Sequence, residues 1–185
     1  MYQGYRTIFW GFVFITFHIN LGSIQILPGF VGCLIMAYGV GLLVRQYSCE
    51  PFRKALITAY FLAFISFISM FTELAAYQSV LLSFFPVVYA AGELTFCYYL
   101  FTGGKEQLTQ ADMEDRAKEL EAVIATLLIL YIIFTIVECF SIALLAQMML
   151  GIAAIFGLIL RLCVMVQLRK LMKAQPSLNT EEEME

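Results

Sequence analysis

Charged residues, histidine and paired cysteines are scarce in this sequence. Only 14% of its 185 residues are charged, 62% are hydrophobic, and there is one histidine. A composition so poor in charge excludes an ordinary soluble domain. The five cysteines form no C-x-x-C pair, so we expect neither a redox centre nor a zinc site. The net charge of −3 offers no basic surface for nucleic acid, and that class of partner is excluded as well.

Catalytic motifs are also missing from the sequence. It contains no G-x-S-x-G with a histidine partner, no H-E-x-x-H and no glycine-rich phosphate loop. A single histidine and scattered serines leave little for nucleophilic chemistry. We therefore expect a protein that is not an enzyme and that needs neither a cofactor nor a metal.

Long apolar runs dominate what remains, and they predict an all-α integral membrane bundle. A bilayer crossing takes about 20 apolar residues, so the chain has room for six transmembrane helices and no second domain. The predicted six-helix domain covers residues 1–174, with a cytoplasmic linker at 103–119 and a disordered acidic tail at 175–185. The predicted spans are residues 7–27, 30–48, 51–72, 79–102, 120–144 and 146–168.

Lysine and arginine residues lie at one set of span ends only. Loops rich in these residues stay on the cytoplasmic side of a membrane. Of the 11 basic residues, all but Arg161 fall at these ends: Arg6, Arg45, Arg53, Lys54, Lys105, Arg116, Lys118, Arg169, Lys170 and Lys173. The alternate loops, near Pro28, at 73–78 and at Gln147, contain none. The distribution predicts that both termini are cytoplasmic.

Two charges fall inside apolar runs at matching depth. Glu93 lies about 12 Å before the end of the fourth span, and Arg161 lies about 12 Å before Arg169. Because a lone charge at hydrocarbon depth is costly, we expect Glu93 and Arg161 to form a buried ion pair. Two interpretations stay open, a structural clasp between two helices and a binding site for a ligand or coupling ion.

Other polar residues gather toward the opposite ends of the spans. Tyr131 and Glu138 lie on the fifth span, His18 lies on the first, and Tyr89 precedes Glu93 by one helical turn. If these side chains face the bundle interior, they form an acidic vestibule above the ion pair. We therefore take all of them, with Glu93 and Arg161, as candidate ligand-binding residues. Each also has an ordinary structural explanation, since a lone histidine near a helix end is usually interfacial.

Small residues recur every four positions in the second span. Gly29, Cys33, Ala37 and Gly41 would form one helical face that lets a neighbouring backbone approach closely. We expect this face to serve in helix packing.

The segment Asn20 to Gly32, "NLGSIQILPGFVG", resembles a stretch of small, uncharacterised polytopic bacterial membrane proteins. In that stretch, Asn-x-Gly is followed by Ile-Leu-Pro-x-Phe-x-Gly. The resemblance implies a location in the bacterial cytoplasmic membrane and nothing about activity. By size and span count alone, the chain is also similar to the substrate-binding membrane subunits of energy-coupling-factor vitamin transporters, which is an architectural analogy without shared motifs.

Together these patterns favour a multi-pass membrane protein that binds a small solute or ion from the outer face. It would be a transporter or a transporter subunit, and a bundle this small would need a homodimer or a partner membrane subunit to move a solute. The alternative is a non-catalytic interaction protein, such as a sensor, immunity or assembly factor. In that case the buried charges are structural, and the segment 105–119 and the acidic tail contact a cytoplasmic partner. An enzyme comes third.

Overall fold

The computed structural model describes residues 2–17, 20–21, 24–25, 29–74, 85–143 and 147–174, which form six α-helices and one short antiparallel strand pair. The elements are α1 (Tyr2–Thr16), β1 (Asn20–Leu21), β2 (Ile24–Gln25), α2 (Gly29–Gln46), α3 (Glu50–Leu74), α4 (Phe85–Gln110), α5 (Glu114–Ala143) and α6 (Gln147–Ala174). The predicted all-α class with six helices is therefore confirmed.

Three helices of the described chain are long and apolar enough to cross a membrane. These segments are Gly29–Gln46, Glu50–Met70 and Glu114–Phe140. Large apolar side chains also point outward from the bundle, among them Phe61 and Phe64 on α3 and Ile132 and Ile136 on α5, each at least 48% exposed. An apolar exterior of this kind is what contact with hydrocarbon requires. The chain therefore has the character of a membrane protein.

The six helices form a closed ring. Each helix packs against the next in sequence, and α6 packs against α1. Aromatic side chains fill the interior: the rings of Phe12 on α1 and Phe96 on α4 lie 6.0 Å apart, and Phe52 and Phe101 are fully buried. Because α4 and α6 both flank α5, residues at equal depth on these two helices can meet.

Glycines allow α1 and α2 to touch through their backbones. A Cβ atom at Gly39 would lie 2.8 Å from the carbonyl oxygen of Gly4, and one at Gly11 would lie 2.8 Å from that of Gly32. The pairs run in opposite directions along the two helices, so α1 and α2 are antiparallel. The predicted small-residue face differs from this one, because an added Cβ at Gly41 would meet nothing within 4 Å.

The first predicted span is wrong in its second half. We expected a helix over 7–27, but α1 ends at Thr16, and Asn20–Leu21 pairs with Ile24–Gln25 as an antiparallel ladder. The sequence between these strands is Gly22-Ser23, a dipeptide that favours a two-residue hairpin. Polar residues spaced through an apolar segment are compatible with a helix end as well as with a hairpin, so the pattern alone does not separate the two.

The predicted linker at 103–119 is wrong in its first half, where we expect a break between helices. Its second half, which the N-cap signal at Thr109 and Asp112 predicts as an extension of the fifth helix, is helical. Helix α4 continues to Gln110 and α5 begins at Glu114, so only three residues connect them. Gly103 is buried because the ring of Phe52 packs on it, and a Cβ there would lie 2.5 Å from Phe52 Cε1. The double glycine, which looks like a turn in sequence, instead lets α4 pack closely against α3.

A left-handed residue ends α4. Asp112 has φ 54°, and its N–H donates to the Thr109 carbonyl at 3.2 Å, while the N–H of Met113 donates to the Leu108 carbonyl at 3.0 Å. These two bonds make a Schellman motif, which satisfies carbonyls at the helix end. The predicted start of the fourth span at 79–84 and the predicted tail at 175–185 lie outside the described residues.

Candidate functional site

Glu93 and Arg161 form a two-pronged ion pair between α4 and α6. Nε of Arg161 donates to Glu93 Oε1 at 2.9 Å, and Nη2 donates to Oε2 at 2.9 Å. Glu93 is only 4% exposed, whereas the Arg161 side chain is 25% exposed. The fork geometry of guanidinium suits a carboxylate and makes such pairs strong as well as specific. The structure thus places in contact the two charges whose depths match in the sequence.

Aromatic side chains complete the surroundings of the pair. The hydroxyl of Tyr131 on α5 donates to Glu93 Oε1 at 3.2 Å. The guanidinium carbon of Arg161 lies 5.9 Å from the ring centre of Tyr89, a cation–π contact. The Tyr89 hydroxyl in turn lies 3.5 Å from Cys33 Sγ on α2. Four helices therefore hold this centre, and every oxygen of the Glu93 carboxylate has a donor.

A cavity of about 220 Å³ adjoins the pair and reaches the first turn of α4. Phe85 and Pro86 line it at that end, and Glu93 and Arg161 line it at the other. Glu138, near the end of α5, lines its wall. The cavity is smaller than the roughly 300–1,000 Å³ of typical drug-sized pockets, so its occupant must be small.

Glu138 lines this cavity with a carboxylate oxygen that has no hydrogen-bond partner among the described residues. Its Oε2 atom is buried and accepts no hydrogen bond from the described residues. The hydrogen-bond donors of the Arg161 guanidinium are also only partly used, since its side-chain hydrogen bonds within the described chain all come from Nε and Nη2. A buried carboxylate oxygen without a donor carries a desolvation cost that a bound cation or a proton would remove.

The structure brings together five of the six candidate residues. Glu93, Arg161, Tyr89 and Tyr131 form the centre, and Glu138 lies on the adjoining cavity. His18 lies outside the described residues. Sequence reasoning missed Cys33 as a partner of Tyr89 and missed Phe134, which also lines the cavity. No sequence signal marks them, because helix rotation decides which way they point.

A second polar network, which the sequence did not suggest, lies near the other end of the bundle. Tyr5 donates to Gln107 Oε1 at 3.1 Å, and Gln107 Nε2 donates to the Tyr47 hydroxyl at 3.0 Å. Gln107 is only 6% exposed. The network ties α1, the α2–α3 connection and the end of α4 together, and both the oxygen and the nitrogen of its amide group are hydrogen-bonded. It therefore stabilises the fold.

Among the histidine, cysteine, aspartate and glutamate side chains of the described ranges, no group of three or more is placed to hold a metal ion.

No family model, no curated protein and no solved structure matches this chain. The fold and the centre nevertheless define a class: an all-α protein of six helices, three of them fit to cross a bilayer, with a buried carboxylate–guanidinium pair beside a cavity. Its function must therefore be argued from the geometry of this centre.

Proposed function

We propose that the chain is a multi-pass membrane protein that binds a small cationic solute or ion at Glu138, as a transporter or a transporter subunit. One observation carries this proposal: a carboxylate oxygen of Glu138 is buried, with no donor in the described part of the chain, on a cavity that Arg161 also lines. Ionisable groups inside membrane bundles most often serve transport or binding. The pair of Glu93 and Arg161 would position Tyr131 and shape the floor of the cavity.

The charge balance of the cavity decides the class of ligand. Glu93 and Arg161 cancel at 2.9 Å, so Glu138 leaves the cavity with one net negative charge. In an apolar interior, a charge without a partner costs at least about 2.5–3.5 kcal/mol. A monovalent cation, an ammonium group or a proton removes that cost, whereas an anion would add to it.

The expected topology gives the direction of entry. If the basic span ends are cytoplasmic, six spans place both termini inside, and the start of α4 and the end of α5 face outward. The cavity reaches the bundle surface at that end, beside Phe85 and Pro86. A ligand would therefore enter from the outer face of a bacterial cytoplasmic membrane. Movement across the membrane would need a homodimer or a partner subunit.

Thermal unfolding of the purified protein in detergent tests this proposal. Methylammonium, choline, sodium and potassium, each as chloride, are added in turn to the native protein. At least one is expected to raise Tm by several degrees, because a ligand at 100 times its Kd contributes about 2.7 kcal/mol. The variant Glu138→Gln should lose this response and keep a folded state without ligand, since the amide supplies a donor and removes the charge.

Glu106→Gln is the matched control for this experiment, because it removes one exposed carboxylate far from the cavity. Its Tm should rise with the same cation as that of the native protein. An equal response from Glu138→Gln, or no response of the native protein to any of the four cations, would count against cation binding at this site.

A non-catalytic interaction protein is the second candidate, and the completeness of the Glu93 centre favours it. Both carboxylate oxygens of Glu93 accept hydrogen bonds, as a purely structural clasp requires. The partner surface would be smaller than the sequence suggests, because Gln107 and Leu108 are buried in the bundle. Under this candidate, Glu138→Gln leaves every measured property unchanged or improves stability.

A further inference from the structure

A second cavity lies at the opposite end of the bundle from Glu138. Its volume is about 310 Å³, and it opens where α4 ends, α5 begins and α6 ends. Its charged wall consists of Arg116 and Glu119 from α5 and of Lys170 and Lys173 from α6. Three cations and one carboxylate give this wall a net charge of +2, whereas the chain as a whole carries −3.

The ion pairs of this wall leave two of its cations unmatched. Lys170 contacts Glu119 at 3.1 Å, which neutralises both. Arg116 and Lys173 have no carboxylate within ion-pair distance in the part of the chain that is described. Both side chains are exposed at the mouth of the cavity, so they can reach an anion without losing another partner.

The deeper wall of the same cavity is mostly apolar. Leu120 and Val123 follow Arg116 by one and two helical turns on α5, and Leu171 lines the α6 side. Leu120 and Leu171 are among the buried core residues, and Gln167 adds a polar side chain to this wall. The cavity is therefore basic at the helix ends and mostly apolar further into the bundle. A phospholipid has the same order, with a phosphate group above its glycerol and acyl chains.

From this arrangement we infer that the cavity binds the phosphate group of an anionic phospholipid, with Arg116 and Lys173 as the phosphate contacts. Guanidinium and ammonium groups are the usual side chains for phosphate. Basic pockets between membrane helices bind anionic headgroups by this chemistry. A free phosphate ion offers the same charge but leaves the apolar wall of Leu120 and Leu171 uncovered, which favours the lipid. This inference does not depend on cation binding at Glu138.

Native mass spectrometry of the full chain in detergent tests the inference. The protein is titrated with phosphatidylglycerol and, separately, with phosphatidylcholine of the same acyl chains. We expect one tightly bound phosphatidylglycerol and weaker phosphatidylcholine. The variant R116Q/K173Q should bind phosphatidylglycerol roughly 30-fold more weakly, since each basic residue near a membrane surface contributes about a factor of five.

R45Q/R53Q is the matched control, because it also removes two exposed cations but neither lines the cavity. It should keep the affinity of the native protein. Equal binding of both lipids, or equal losses in both double variants, would overturn the inference. Displacement of the lipid by millimolar inorganic phosphate would show a site for the free ion instead.

The acidic tail of the chain is the competing occupant. Residues 181–183 and Glu185 are acidic and follow closely after Ala174, which lines the cavity. Deletion of residues 181–185 should leave phosphatidylglycerol binding unchanged. A preference for this lipid that arises only after the deletion would show that the tail fills the site, and the lipid assignment would then fail.

Discussion

At the residue scale, the buried Glu93 side chain accepts hydrogen bonds from both Arg161 and Tyr131, and Arg161 is its counter-ion. Arg161→Met keeps the bulk of the stem and removes the charge, so that Glu93, 4% exposed, loses its counter-ion. Loss of one partner of a buried pair typically costs about 3–5 kcal/mol. We expect a loss of this size in the free energy of unfolding measured by denaturant titration in detergent.

Two further variants make this result specific to the pair. Adding Glu93→Gln to Arg161→Met should recover most of the loss, because no uncompensated charge remains. Lys54→Met removes a cation from the exposed pair with Glu50, where both side chains are about half exposed or more, and should cost far less, because solvent screens such a pair. If Arg161→Met is no more harmful than Lys54→Met, the pair does not stabilise the bundle.

Sequence alone could predict the contact between Glu93 and Arg161 but not its setting. The rise per residue of a helix converts position in sequence into depth in the membrane, and the high cost of a lone charge in the hydrocarbon core limits the choice of partner. The depth of a residue in the membrane does not determine, however, how its helix is rotated about its own axis. That Glu138 faces the cavity without a donor, and that Cys33 contacts Tyr89, depend on how α2 and α5 turn about their axes.

At the element scale, the contact between α1 and α2 depends on glycine at positions where the two backbones meet. In Gly39→Ala, the new Cβ would lie 2.8 Å from the Gly4 carbonyl oxygen and 2.9 Å from the Ile8 nitrogen, and neither atom can move without shifting a helix. Overpacking of this kind typically costs about 1–3 kcal/mol. We expect Gly39→Ala to lower Tm although alanine favours helix more than glycine does.

Gly41→Ala should change Tm in the opposite direction. An added Cβ at Gly41 meets no atom within 4 Å, so the substitution brings only the helix preference of alanine, about 0.5–1 kcal/mol. The two variants differ by two positions on one helix, and the sign of the Tm change separates them. Destabilisation by both, or by neither, would show that close approach of α1 does not constrain α2.

The ends of the elements were harder to predict than their existence. Gly103 and Gly104 lie within α4 because Phe52 and the Tyr5 hydroxyl occupy the space that side chains would need. These two side chains come from α1 and α3, so the residues next to the glycines in sequence give no sign of this packing. The end of α1 is a different case, because the Gly22-Ser23 dipeptide did carry a hairpin signal in the sequence.

At the scale of the whole molecule, ring closure places the two cavities at opposite ends. Helix α6 contributes Arg161 to the acidic cavity and Lys170 to the basic one, and the nine positions between them correspond to about 14 Å along a helix. The acidic cavity lies on the side that the loops without basic residues share. A cation site and an anionic-lipid site would thus be separated by about 14 Å along α6, and neither needs the other to be occupied.

The direction of the whole bundle in the membrane is tested by cysteine labelling in intact bacterial cells. The five native cysteines are first replaced by serine or alanine, and single cysteines are then introduced at Lys54, Lys173 and Gln78. Lys54 begins α3 and Lys173 ends α6, where basic residues concentrate, whereas Gln78 lies between α3 and α4. An impermeant maleimide should label the cysteine at 78 in intact cells and those at 54 and 173 only after permeabilisation, because basic loops stay inside.

Labelling of 54 or 173 in intact cells would show that the bundle has the opposite orientation, with the mouth of the Glu138 cavity toward the cytoplasm. Entry of a cation from outside would then be untenable, since the end of the acidic cavity beside Phe85 and Pro86 would face the cytoplasm.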